Sequence, residues 1–84
     1  MNNELCEKLL KIDKDFEDHY GADWGTLYYN DIAAVDMVKA VTFFIDNVKD
    51  YMLAETVIKV IKKVFDNKQP IGFMFEFVYY KAIM

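Results

Sequence analysis

The chain contains no arginine and no serine, and only one cysteine, one proline and three glycines among its 84 residues. Each scarcity removes something. Serine nucleophiles are excluded outright. Without arginine, the planar two-toothed fork that favours phosphate and carboxylate recognition is missing as well. The single cysteine, Cys6, excludes a disulfide within the chain and fits a reducing compartment. No apolar run approaches the roughly 20 residues that cross a bilayer. The most apolar stretches are interrupted by Asp36 and Lys39, or by Glu76 and Lys81. The opening residues MNNELCEK are acidic and polar and do not read as a signal peptide. A cytoplasmic protein with no membrane partner is expected.

What is present is apolar and acidic. Hydrophobic residues make up 55% of the sequence and aromatic ones 17%, more than a core of this size easily hides, since small domains bury a smaller share of their surface. A surplus of this kind marks an interface, so a homodimer or a protein partner is expected. Lysine supplies all ten basic residues, against 14 acidic ones, for a net charge of −4. Lysine without arginine, together with many Ile, Asn, Phe and Tyr residues, also suggests an AT-rich coding sequence, as in low-GC bacteria or their phages. The charge is unevenly spread: residues 1–23 carry seven acids and three lysines, whereas residues 51–84 carry three acids and five lysines. Such asymmetry can steer association with a basic partner.

The chain reads as a single helical domain over residues 1–84. A first amphipathic helix is expected over residues 3–20, capped by Asn2 or Asn3 and ended by Gly21, with Leu5, Leu9, Ile12, Phe16 and Tyr20 on one face. Residues 21–30, GADWGTLYYN, read as a loop. Its segment 26–29 is a candidate for a short strand or an early helical turn, and Asn30 or Thr26 could cap the second helix.

Residues 31–51 contain neither glycine nor proline and form the helix on which the other elements are expected to pack. Ala34, Val38, Val41, Ile45, Val48 and Met52 line its apolar face, widened by Met37, Phe44 and Tyr51, while Ile32 and Phe43 fall on the polar side. A break near Tyr51, capped by Asp50, is expected to precede a third helix over residues 53–66, facing inward through Leu53, Val57, Val60, Ile61 and Val64. After a turn at residues 67–70, the stretch 71–84 has no clear polar side. Pro70 favours a helix, whereas Phe73, Phe75, Phe77 and Tyr79 alternate as in a strand. The expected fold is all-α, a small bundle of three or four helices. The alternative is α+β: three helices with a short strand pair over 26–29 and 73–80.

No constellation points to catalysis. The run Asp13–Asp18 resembles the start of a calcium loop, but its sixth position holds Asp18 instead of glycine and its twelfth holds Trp24 instead of an acid. Asp15, His19 and Asp23 could in principle hold a divalent ion, but one histidine beside an apolar stripe is more often a packing residue, and no metal is expected. Cys6 and His19 stand thirteen residues apart on one helix, roughly 20 Å by helix rise, too far to act together. The lysines at 59, 62, 63 and 68 form a small patch. In an acidic chain without arginine that patch reads as a solvated face, so nucleic acid is not an expected partner.

The function expected is therefore a small acidic, non-enzymatic protein-interaction module without cofactors. A phage- or mobile-element-encoded inhibitor or regulator of host machinery, acting by binding and occlusion, would fit this description. The alternative is a small metal-dependent or otherwise catalytic protein. Asp15, Asp18, Asp23, Trp24, Tyr28 and Tyr29 are the candidates for contact with a basic protein partner. Ile32, Phe43, Phe73, Phe77 and Tyr80 are the candidates for self-association.

Overall fold

Helix α1 runs Asn3–Tyr20, and its inward line is Leu5, Leu9 and Phe16 with half-buried Ile12 and Tyr20, as the spacing of three and four requires. Gly21 ends it at φ +71°, a left-handed conformation that glycine adopts without strain, and its N–H closes the last turn onto Glu17 O at 2.9 Å. A computed structural model of the protein describes residues 3–83. Asn2, one of the two expected caps, lies outside the described residues, and Asn3 is itself helical.

Three further helices follow: α2 (Ala34–Val48), α3 (Ala54–Phe65) and α4 (Gly72–Ile83). A single 3₁₀ turn at Tyr29–Asp31 leads into α2, and the described residues contain no strand. The all-α bundle therefore stands, and the strand pair over 26–29 and 73–80 does not form. As a strand, the segment 73–80 would lack a sheet edge to pair with, whereas as a helix it satisfies its own backbone.

That last helix is the organising element. α4 packs against α1, α2 and α3, a role the periodicity gives to α2. Ile71, Met74, Phe75, Val78 and Ala82 are fully buried. Phe75 alone joins three parts of the chain: its ring stacks on Trp24 at 4.8 Å, and meets Phe43 at 6.0 Å and Phe16 at 6.4 Å. On another side, Phe77 lies edge-on to Phe44 at 6.4 Å, and Phe73 lies under the Lys63 ammonium at 5.6 Å. Such ring pairs each add about 0.5–1.5 kcal/mol beyond the area they bury. The helix is not covered all round, because Glu76, Tyr79, Tyr80 and Ile83 form an exposed stripe.

The start of α4 is latched to the loop before α2. Ile71 N–H donates to Leu27 O at 2.7 Å and Gly72 N–H to Trp24 O at 2.9 Å, so two donors at the helix start are met by loop carbonyls. The end of α3 is closed by Asn67 at φ +60°. Its N–H bonds Val64 O and the Lys68 N–H bonds Lys63 O, the paired closure of a Schellman turn. The Asn67 side chain also accepts the Asn30 N–H at 3.3 Å, tying this turn to the entrance of α2.

Two details of α2 and α3 differ from the sequence expectation. No side chain caps either helix: Ala33 and Leu53 occupy the cap positions, in place of Asn30 or Thr26 and of Asp50. The face of α2 is also rotated. Its buried line is Met37, Ala40, Phe44 and Val48, while Val38 is 65% exposed and Ile45 37%. Ile32 is buried, and Phe43 is half-buried against the core, so within the subunit neither stands on an exposed polar side. The reason is packing on both flanks. α2 must meet Phe75 on one side as well as Phe77 below, and that turns Phe43 inward at the expense of the smaller Val38.

Candidate functional site

The C-terminal half of α1 and the N-terminal half of α2 enclose an open groove of about 470 Å³. Its apolar lining is Ile12, Phe16 and Ala40, and its polar lining is Asp15, Asp18, His19, Tyr20, Asp36 and Lys39. Helical spacing explains the α1 side of the lining: Ile12, Asp15, Phe16 and His19 follow one another by three, one and three residues along one side of α1. The result is three carboxylates against one ammonium around a floor of carbon.

One side chain holds the two walls in place. The Tyr20 hydroxyl donates to Asp36 Oδ2 at 2.6 Å and accepts the Ala33 N–H at 3.0 Å. Ala33 is the N-cap residue just before α2, so Tyr20 meets a backbone donor there that no local side chain caps. Its ring stacks on Phe16 at 5.7 Å and is met edge-on by His19 at 4.6 Å. Burial, then the bond to Asp36, hold the Tyr20 phenol above its usual range, with the Ala33 N–H pulling the other way.

Chemically, the groove suits a long cationic side chain. Methylene groups can lie on Ile12, Phe16 and Ala40 while the charged head reaches a carboxylate, the division that lysine and arginine make at partly apolar surfaces. Among the described residues, no cluster of three or more His, Cys, Asp or Glu side chains is placed to hold a metal ion.

The six residues expected to contact a partner are not brought together. Asp15 and Asp18 line the groove. Asp23 lies outside it, in an exposed turn where its Oδ1 accepts the Gly25 N–H at 2.9 Å and its carbonyl accepts the Thr26 hydroxyl at 3.0 Å. Trp24 stacks on Phe75 and borders a second, smaller hollow of about 340 Å³ with Glu76, Tyr79 and Tyr80. Tyr29 packs on Phe65 at 4.8 Å, and Tyr28 is exposed beside it in the chain. Of the residues expected in self-association, Phe73 and Phe77 are half-buried between helices, and Tyr80 is 56% exposed.

Asp36, Lys39 and Tyr20 complete the groove, and sequence spacing does not place them there. It puts Tyr20 on the apolar stripe of α1. The phenol hydroxyl is the available signal, since a buried tyrosine usually finds a hydrogen-bond partner. No family model, no curated protein and no solved structure matches the chain.

Proposed function

We propose that the chain is a small acidic, non-enzymatic interaction module whose α1–α2 groove receives a lysine or arginine side chain from a partner protein. The observation that carries this reading is the groove itself: Asp15, Asp18 and Asp36 stand over a floor of Ile12, Phe16 and Ala40. The net charge of −4 supports the same partner, because an acidic surface raises the encounter rate with a basic one. The lysine-only, Ile- and Asn-rich composition extends the proposal to a phage- or mobile-element-encoded regulator in the bacterial cytoplasm. It would inhibit host machinery by occupying a basic surface, with neither cofactor nor nucleic acid required.

Titration of the labelled protein with a lysine-rich peptide, followed by NMR, tests the groove. Amide shifts are expected over residues 12–20 and 36–40, fading with salt and weakened in the double variant Asp15→Asn/Asp18→Asn. Silence at low salt, or shifts that the double variant leaves untouched, would reject the site.

A further inference from the structure

Helix α3 carries two apolar lines, and the fold covers the second only in part: Ile61 leans on the core and the Phe65 ring meets Tyr29 at 4.8 Å, while Ile58 is left in solvent. Val60 and Val64 are buried and Val57 is half-buried against the core. Beside them runs a second line, Ala54, Ile58, Ile61 and Phe65, separated by four, three and four residues. Ile58 is 65% exposed and Phe65 40%, Ala54 is exposed, and Ile61 is half-buried. Alternating steps of four and three are the spacing of a coiled-coil seam. Glu55 and Lys62 flank this line on its solvent side, seven residues apart and both exposed. Neither makes an ion pair among the described residues, where Lys8–Glu4 is the pair found.

This surface is its own complement. When two copies of α3 are set antiparallel about a two-fold axis, Ile58 faces Ile61 of the second copy and Ala54 faces Phe65, small against large. The same operation brings Glu55 beside Lys62 of the second copy, and does so twice. A parallel arrangement would instead set Phe65 level with Phe65 and bring neither charge to its opposite. We propose that α3 is a self-association helix that takes α3 of a second copy of this chain in antiparallel register.

The helix is 12 residues long, about 18 Å, too short for an autonomous coiled coil. It is already folded within its subunit, however, so association does not bear the entropy of forming it. A seam of this length covers less than the roughly 800 Å² per partner of a standard interface, so the dimer is concentration-dependent. The seam uses α3 alone and forms whether or not the groove binds a basic partner.

Sedimentation of the full chain from micromolar to millimolar concentration reads it out. A monomer–dimer equilibrium is expected for the native sequence. Ile58→Asp should be monomeric with unchanged circular dichroism, since Ile58 lies largely in solvent. Glu55→Lys and Lys62→Glu should each weaken the dimer at least about threefold, and the double reversal Glu55→Lys/Lys62→Glu should restore it. These exposed charge variants carry the test even where Ile58→Asp fails to fold. A monomer at every concentration, or a dimer indifferent to Ile58→Asp, would overturn the proposal. So would a double reversal as weak as the single variants.

Discussion

Tyr20 and Asp36 are joined across 2.6 Å, phenol to carboxylate, and this bond ties the last residue of α1 to the first turn of α2. It stands at one end of the groove and sets the distance between the groove's two walls. Asp36 is held where the positive end of the α2 dipole also favours a negative charge.

Tyr20→Phe keeps the ring and removes both hydrogen bonds. Stability should fall by about 1 kcal/mol, because the freed Asp36 carboxylate and Ala33 N–H are near enough to solvent to find water. The alkaline limb should change too. The phenol holds its proton in the folded chain to a higher pH than in the unfolded chain. Its contribution is therefore complete below the unfolded value near about 10, and is lost as pH rises through the folded value. Urea denaturation at a series of pH values should show the native protein losing stability faster than Tyr20→Phe above roughly pH 10. Parallel curves would mean that this phenol does not couple to folding.

Gly72→Ala tests the latch between α4 and the loop. A Cβ at Gly72 would meet Trp24 Cδ1 and Trp24 O at 3.1 Å and Gly25 Cα at 3.2 Å. Two of those three atoms are backbone, and the same carbonyl accepts the Gly72 N–H. Alanine's better helix propensity counts least at a helix start. The substitution should therefore destabilise by about 1–2 kcal/mol, through a displaced loop. Trp24 is the sole tryptophan, so its emission should shift red as its stacking on Phe75 loosens. An unchanged spectrum with unchanged stability would show that the loop yields freely.

Phe43→Asp and Val38→Asp form a matched pair that reads the rotation of α2. Phe43 packs against Phe75, whereas Val38 is 65% exposed. Phe43→Asp should lower stability by about 3 kcal/mol or more, through lost burial and a carboxylate placed against the core. Val38→Asp should change it by less than about 1 kcal/mol. Thermal melts of the two variants are sufficient, and the reverse order would return α2 to the orientation its periodicity suggests.

The groove is only partly legible in the sequence. Asp15 and Asp18 stand out as members of an acidic run on α1, and that much is a property of local spacing. Asp36 and Lys39 belong to the polar side of another helix, 16 or more residues away. Nothing local to either segment records which side of α1 will lie beside which side of α2. The same holds for the Trp24–Tyr29 segment: its aromatics read as one surface, but Trp24 turns to Phe75 and Tyr29 to Phe65.

By itself, the sequence determined the span of α1 and its end at Gly21, the presence of α2 and α3, and the surplus of apolar surface. These follow from periods of three and four residues, from a glycine's freedom at positive φ, and from composition, all of which act over a few neighbours. Only the tertiary structure decided that α4 is the hub, that α2 is turned to bring Phe43 inward, and that Tyr20 bridges to Asp36. A stretch such as 71–84 is apolar on almost every side, so its own pattern names no preferred face. Which rings it meets is settled by fitting Phe16, Trp24, Phe43 and Phe44 around it, a long-range packing problem with no local signature.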